Sequence, residues 1–301
     1  MRHFVSLLAL PLLICAAPQS KPAAKKPLTG AEIIAASPPS AWVTIDPENL
    51  MVMDLAKGGR IVVQLAPEFA PAHVANIRAL ARASWWKGAS VYRVQDNFVA
   101  QWGHDEKGPP LPSGVMKPPP KEYWRSTKGL AIGPLGFVDA YAPAVGYAGG
   151  WPIAYSPKGG WATLPHCYGY VGVARDLAPD TGTGEELYAI IGHAPRRLDR
   201  NLAVVGRVIE GIDRLSSLPR GPAPMGMYGD ASRNVGIASV RLVSEMPASD
   251  RPSFQMMNTS SATFGQILQL RTNHADAFYQ TPPTGIDICG SGVPVRKTPP
   301  A

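Results

Sequence analysis

The sequence is poor in cysteine and in charged residues, and these two shortages exclude several classes of protein. Only three of its 301 residues are cysteine, which excludes a small domain held together by many disulfides. Charged residues make up 17% of the chain, and the basic ones are scattered rather than gathered in a run with interleaved aromatic residues. Although the formal net charge is +7, we therefore expect no nucleic acid among its partners.

Patterns that mark metal, nucleophile and nucleotide sites are also missing. The histidines at 73, 104, 166 and 193 do not stand at paired metal-ligand spacing. No Gly-x-Ser-x-Gly elbow supports a serine hydrolase. The glycine-rich residues 180–184 lack the lysine of a phosphate-binding loop and the oxygen ligands of a calcium loop. We therefore expect neither a metal nor a cofactor.

Proline and glycine are abundant, with 32 prolines and 30 glycines that occur in clusters. Such clusters predict long irregular connections rather than a helix bundle. Hydrophobic residues make up 45% of the chain, so a sequence of this length can bury a sizeable core. Composition thus favours a mainly β fold, built as one domain with additions.

The first 17 residues have the pattern of a signal peptide. A basic start precedes an apolar stretch at 4–15, which is too short for a stable membrane span. We expect export to the periplasm, and we favour this over a lipid anchor at Cys15. Cleavage after residue 17 would leave Cys167 and Cys289, which allow either one internal disulfide or two free thiols.

Alternating apolar residues predict strands early in the chain. Two strands at 50–55 and 60–65 flank a glycine turn, and an amphipathic helix with Pro71 in its first turn follows. Next come strands at 89–94 and 98–102, separated by an Asp-Asn turn. The pattern therefore predicts two hairpins on either side of a helix.

Arg93 is the unusual residue of the second hairpin. Because side chains alternate along a strand, we expect Arg93 to share the face of Val91. A cation on an apolar face needs a partner or a function, whereas on an edge strand it can be a solubilising charge. From this segment alone, both interpretations stay open.

The order of these elements resembles the cyclophilin family of peptidyl-prolyl cis-trans isomerases. The resemblance rests on the segments Lys57-Gly58-Gly59, Pro67-Glu68-Phe69-Ala70-Pro71, 92–101, Gly172-Val173-Ala174, 182–190, 198–201 and 204–211. It covers roughly residues 48–245, with a divergent middle. The family's fold is a closed eight-stranded antiparallel β-barrel capped by two helices, and we expect it here with a long loop insertion and a C-terminal extension.

The resemblance also divides the chain. A flexible tether at 18–40, with a short helix near its end, leads to a cyclophilin-like domain at 41–245. The domain contains an insertion at 104–165, which is long enough to be a functional loop or a small subdomain. Many aromatic residues indicate that the insertion packs on the domain. The extension at 246–301 has one candidate amphipathic helix, at 261–278.

The resemblance implies an enzyme that rotates X-Pro peptide bonds in proline-containing polypeptides. Amide resonance sets a barrier of about 18–20 kcal/mol for this rotation. No covalent bond is broken, so the catalyst has only to bind the twisted amide better than either planar form. We expect a monomer that assists the folding of exported proteins.

By resemblance, Arg93 is the catalytic residue, because its guanidinium can donate to the substrate carbonyl and to the imide nitrogen. The expected substrate-binding residues are Phe98, Val99, Gln101, Ala174, Glu186, Tyr188, Leu198 and Leu202. The apolar members of this set are also plausible as ordinary barrel core.

Five positions depart from the family's usual residues: Tyr92 replaces a histidine, Glu186 a glutamine, Arg175 an asparagine, Leu202 a histidine and Arg197 a tryptophan. The Glu186 carboxylate either holds Arg93 away from substrate or orients it. The alternative function is a non-catalytic module that binds proline-containing peptides or a protein partner. Arg197 predicts weak inhibition by cyclosporin-type compounds.

Overall fold

The computed structural model describes residues 28–105, 108–273 and 279–299, so the predicted signal peptide lies outside the described residues. The helices are α1 (Gly30–Ala35), α2 (Pro71–Arg82), α3 (Ile212–Ser216) and α4 (Ala262–Asn273). The strands are β1 (Trp42–Thr44), β2 (Leu50–Leu55), β3 (Arg60–Leu65), β4 (Ser90–Val94), β5 (Val99–Gly103), β6 (Arg125–Ser126), β7 (Gly133–Pro134), β8 (Ala144–Ala148), β9 (Trp151–Ser156), β10 (Trp161–Thr163), β11 (Tyr170–Val173), β12 (Leu187–Ile190), β13 (Val204–Glu210), β14 (Val235–Leu242), β15 (Phe254–Met257) and β16 (Val295–Lys297).

Eight of these strands close into an antiparallel barrel, in the order β11-β12-β5-β4-β14-β2-β3-β13. Apolar side chains such as Met51 and Ile61 fill its interior and are fully buried. Helix α2 adds Val74 and Ile77 to the same core, and α3 adds Leu215. The predicted barrel with two helices packed against it is confirmed. Because the barrel is closed, β4 is not an edge strand, which removes the solubilising interpretation of Arg93.

The insertion is anchored to the start of α2. Pro71 opens this helix, and no side chain of the preceding residue caps it. Instead, the Glu122 carboxylate accepts hydrogen bonds from the backbone N–H of Ala72 at 2.8 Å and of His73 at 2.9 Å. Burial alone would raise the pKa of Glu122, but the hydrogen bonds from His73 and the backbone outweigh it and lower that pKa. A carboxylate from the insertion thus accepts the hydrogen bonds of two backbone N–H groups that have no partner within the first turn of α2.

Residues 104–165, predicted as a functional loop or a small subdomain, contain a five-stranded sheet in the order β6-β10-β9-β8-β7. Its strands are short and separated by Pro and Gly, so no long alternation marks them in the sequence. The turn between β8 and β9 is made by Gly149 and Gly150, at φ angles of 57° and 83°. Only glycine enters this region without strain. The glycine pairs that break long elements therefore serve as hairpin turns.

The extension and the insertion share a second hydrophobic core beside the barrel. Phe264 and Ile267 of α4 pack with Tyr147 of the insertion and with Trp42 of β1. Strands β1, β15 and β16 form a three-stranded sheet, and α1 packs against α4. Helix α1 falls inside the stretch 18–40 that we assigned to a tether, so part of that stretch is folded onto the extension. The described part of the predicted helix at 261–278 forms α4.

A disulfide joins the extension to the barrel. Cys167 and Cys289 are bonded, with their Cα atoms 5.1 Å apart. Of the two arrangements that the sequence left open, the structure contains the internal pairing. Within the described ranges, no helix combines the length and the apolar character needed to cross a bilayer.

Candidate active site

A β-bulge in β4 turns Arg93 to the outer surface of the barrel. The register with β5 shifts between Val91 and Arg93, which leaves Tyr92 as the extra residue. Val91 and Val94 both belong to the barrel core, whereas Arg93 and its cross-strand partner Gln101 line an outer cavity. The expectation that Arg93 shares the face of Val91 was wrong, because the bulge breaks the alternation at Tyr92.

Three neutral oxygen atoms hold the Arg93 side chain. Its Nε donates to the Met225 carbonyl at 2.8 Å, its Nη1 to Gln101 Oε1 at 3.0 Å, and its Nη2 to Gln95 Oε1 at 2.5 Å. Burial lowers the pKa of Arg93, yet a guanidinium keeps its proton in proteins. Among the described residues, none forms an ion pair with it. Since a guanidinium has five N–H donors, two remain for a substrate.

The loop that supplies the Met225 carbonyl approaches β4 closely because of Gly226. A Cβ at Gly226 would lie 2.4 Å from Cα of Gln95, and the glycine φ is +70°. The Gly226 carbonyl also accepts a hydrogen bond from the backbone N–H of Val94 at 2.8 Å. Sequence reasoning missed this loop, although its Gly-Pro-rich composition is a signal for a close turn.

Glu186 acts on Arg93 through Gln101. The Gln101 Nε2 donates to Glu186 Oε2 at 3.1 Å and to the Tyr92 hydroxyl at 2.5 Å, while its Oε1 accepts from Arg93. Burial raises the pKa of Glu186, although hydrogen bonds from Tyr92 and Gln101 act against it. Burial, followed by the charge of Glu186, raises the pKa of Tyr92. Of the two roles open for Glu186, the contacts match the orienting one.

All nine residues expected at the site line one cavity of about 840 Å³. They are Arg93, Phe98, Val99, Gln101, Ala174, Glu186, Tyr188, Leu198 and Leu202. Val99 and Tyr188 also belong to a hydrophobic cluster against which Phe98, Ala174 and Leu202 pack. The two interpretations of the apolar residues are thus compatible, since the same side chains pack in a core and face the cavity.

The cavity also has charged lining residues, and sequence reasoning did not identify most of them. Lys117 reaches the cavity from the insertion, and Arg175, Asp176 and Asp180 lie beside it. Burial alone would raise the pKa of Asp180, but backbone hydrogen bonds, including one from Gly182 at 3.1 Å, lower it. Three residues of the glycine-rich stretch 180–184, Asp180, Gly182 and Thr183, line the cavity.

A buried polar chain lies behind Tyr188. The Tyr188 hydroxyl is 3.0 Å from His166 Nε2, and His166 Nδ1 is 2.9 Å from Asp199 Oδ1. Arg196 donates to Asp199 Oδ2 at 2.5 Å and makes two hydrogen bonds to Asp139 of the insertion, at 2.9 and 3.0 Å. These contacts connect the cavity floor to the insertion. In the described ranges, no group of three or more His, Cys, Asp or Glu residues stands where it could hold a metal ion.

Comparisons with known proteins give the family. The family described as "Cyclophilin type peptidyl-prolyl cis-trans isomerase/CLD" matches residues 50–242, more than half of the chain. The chain belongs to this family of X-Pro isomerases. A "Probable peptidyl-prolyl cis-trans isomerase" of Brucella suis biovar 1 (strain 1330) is 27% identical over 176 residues, which are 58% of this chain and 74% of the relative. Its counterpart in Brucella abortus (strain 2308) is 26% identical over the same shares.

The fold has a close match among solved structures. Cyclophilin AquaCyp293 from Hirschia baltica superposes with a TM-score of 0.62 and 24% sequence identity, over 87% of this chain and 98% of the other. This share of the chain is larger than the part matched by the family, so the likeness in fold is not confined to residues 50–242.

Proposed function

We propose that this isomerase accelerates X-Pro rotation through Arg93, with the proline ring in the apolar part of the cavity. One observation carries the proposal: Arg93 is fixed by three neutral acceptors at a cavity with an apolar side. A guanidinium without a carboxylate partner keeps its charge available to a substrate oxygen.

The proposed mechanism is differential binding of the twisted amide. Phe98, Val99 and Leu198 hold the proline ring, and Arg93 donates to the peptide carbonyl. As the amide twists, the imide nitrogen loses resonance and its lone pair becomes an acceptor for the second free N–H of Arg93. Planar cis and trans substrates lack this acceptor. Each 1.4 kcal/mol or so of stabilisation confined to the twisted state gives about a tenfold faster rotation.

The departures at Tyr92 and Glu186 support turnover rather than its loss. Both side chains hydrogen-bond to Gln101, which in turn holds Arg93. A carboxylate that paired directly with Arg93 would compete with the substrate. Here the Glu186 carboxylate contacts Gln101 and not Arg93 itself. We therefore propose an active enzyme rather than a binding module.

We propose that the substrates are exported polypeptides and that the enzyme assists their folding in the periplasm as a monomer. The signal-peptide pattern of residues 1–17 supports export, and the Cys167–Cys289 disulfide fits an oxidising compartment. Fractionation of cells that carry the full chain, compared with a chain lacking 1–17, tests the location. Recovery of the full chain in the cytoplasm would contradict export.

NMR exchange spectroscopy on a short X-Pro peptide tests turnover. The expected result is faster cis-trans exchange on addition of the protein, and unchanged spectra for a matched peptide with alanine in place of proline. Shifted resonances without faster exchange would contradict turnover and identify a proline-peptide binding module instead.

A further inference from the structure

A basic surface adjoins the proposed proline pocket. Phe98 lines the active-site cavity and also a second cavity of about 310 Å³. That second cavity shares Tyr141 and Arg197 with a third, of about 320 Å³. We call the second and third cavities together the basic groove. Its charged and aromatic lining consists mainly of Tyr141, Trp161, His193, Arg196, Arg197 and Arg200.

Two arginines of the basic groove carry charge that no carboxylate among the described residues neutralises. Arg196 is paired with Asp139 and Asp199. Arg197 and Arg200, by contrast, are exposed, and neither has an ion pair within the described part of the chain. The groove therefore presents two free guanidinium groups to a ligand.

The two acidic residues that line the basic groove, Asp96 and Asp199, do not cancel this charge. Asp96 lines the groove, but its carboxylate is 3.1 Å from Nε of Arg220. The Asp199 side chain is buried and forms an ion pair with Arg196. The groove thus keeps an excess of positive charge.

Aromatic rings hold the two free guanidinium groups in place. Arg200 lies over Trp161 of the insertion, 4.1 Å from the ring centroid, and Arg197 lies over Phe98 at 5.4 Å. Stacking on a ring face leaves the N–H edges of a guanidinium free for hydrogen bonds. Arg200 also adopts a left-handed φ of 64°, a region that L-residues other than Asn and Asp seldom enter. The insertion thus helps to present the groove's cations.

We infer that the basic groove binds a carboxylate side chain of the same polypeptide whose proline occupies the active-site cavity. The inference rests on the proposed function and names its substrate class: X-Pro segments with Asp or Glu nearby. An extended chain advances about 3.3–3.6 Å per residue, so a carboxylate about two to four residues from the proline reaches past Phe98. Arginine forks bind carboxylates with two parallel hydrogen bonds. The insertion then has a role in substrate selection.

Two peptides that differ only by Glu or Gln near the proline test this inference. Glu or Gln is placed three residues before the proline in one pair and three residues after it in another. NMR exchange at low salt gives the ratio of kcat/KM for the Glu peptide over the Gln peptide. We expect a ratio of about three to ten in at least one pair, since exposed ion pairs contribute modestly to binding. The ratio should shrink as salt screens the charges.

The double variant Arg197→Gln/Arg200→Gln should bring that ratio to about one, because both free cations are gone. The matched control is Arg214→Gln. Arg214 is an exposed arginine that lines none of the three cavities, so this variant loses a positive charge outside the basic groove and should keep the wild-type ratio.

The outcomes separate the inference from the proposed function. A wild-type ratio of one in both peptide pairs, with the Gln peptides still turned over, overturns the acidic preference and leaves the isomerase intact. A preference that survives in the double variant also overturns the inference, because other residues must cause it. If no peptide exchanges faster, the catalytic proposal fails first and the inference fails with it.

Discussion

Gln101 joins Arg93 to Glu186 through the two ends of its side-chain amide. The oxygen accepts from Arg93 at 3.0 Å, and the nitrogen donates to Glu186 at 3.1 Å. The ends are not interchangeable, because a flipped amide would set its N–H against the guanidinium donors. The carboxylate therefore selects the amide orientation that Arg93 requires, and a position that departs from the family's usual glutamine still supports Arg93 through Gln101.

Isomerase activity should fall as the pH drops through the raised pKa of Glu186. Protonated Glu186 can donate an O–H to Gln101, and the amide then turns its oxygen away from Arg93. Loss of that one hydrogen bond, worth about 1 kcal/mol, should lower kcat/KM about fivefold. NMR exchange over a pH series measures this. Glu186→Gln cannot titrate and should give a flat profile, whereas parallel profiles for the two proteins would contradict the account.

The same raised pKa has a consequence for stability. The folded protein keeps a proton on Glu186 at pH values at which the unfolded chain has already lost it. The contribution of Glu186 to the free energy of unfolding is therefore fully present below the ordinary pKa of a glutamate, and it is lost as the pH rises through the raised pKa of the folded state. Urea unfolding of wild type and Glu186→Gln across this range should show wild type losing free energy of unfolding relative to the variant. A difference that does not change with pH would contradict the burial of the carboxylate.

Gly226→Ala should reduce activity by displacing the Met225 carbonyl from Arg93. The new Cβ would lie 2.4 Å from Cα of Gln95, at a φ of +70°, so the loop has to move. We expect kcat/KM to fall at least about fivefold, for one lost hydrogen bond. Gly229→Ala is the matched control, because its Cβ would have no atom within 4 Å. Equal activity in both variants would show that the close approach is not needed.

Tyr188→Phe should separate stability from catalysis. The change removes the hydroxyl 3.0 Å from the buried His166 Nε2 but keeps the aromatic ring at the cavity. An unsatisfied buried group costs about 1–3 kcal/mol, so the urea midpoint should fall while kcat/KM stays within about twofold. Tyr168→Phe, at a half-exposed tyrosine, should leave both quantities unchanged. An unchanged midpoint in Tyr188→Phe would contradict a structural role for the polar chain.

The disulfide should contribute to stability but not to chemistry. Cys167 and Cys289 are 122 residues apart, and crosslinks that close loops of this size typically contribute about 2–5 kcal/mol. The double variant Cys167→Ala/Cys289→Ala should unfold at lower urea yet turn over a short peptide normally, since neither residue lines the active-site cavity. Reduced wild type should behave like the variant. Retained stability in both would show that packing alone holds the extension.

The sequence predicts the barrel well where alternation runs long. Strands β2 and β3, and helix α2 after its proline, form as the pattern indicates. The orientation of Arg93 could not be predicted, because one bulged residue, Tyr92, reverses the faces and leaves no mark in composition. The residues that resemble the family's groove do meet in one cavity. The contact of Arg93 with the Met225 carbonyl could not be predicted. Met225 is 132 residues from Arg93 in the sequence, and a backbone carbonyl is a group that every residue carries.

The additions to the barrel were harder to predict for a different physical reason. Strands of two or three residues, such as β6 and β10, are too short to show a period. The second core forms between segments far apart in the chain, such as Trp42 and Phe264. Within each segment alone these apolar residues have no visible packing partner, so the sequence predicts a tether at 18–40 where the structure has α1 packed against α4.

Arg93→Lys, measured by NMR exchange on a short X-Pro peptide, tests the central claim most directly. Lysine keeps the positive charge but lacks the planar fork that contacts three acceptors and a substrate together. Removing such a preorganised donor typically costs about 10²-fold or more in rate, so we predict at least that loss in kcat/KM with the urea midpoint little changed. A folded Arg93→Lys variant that turns over the peptide at the wild-type rate would contradict catalysis by the Arg93 guanidinium.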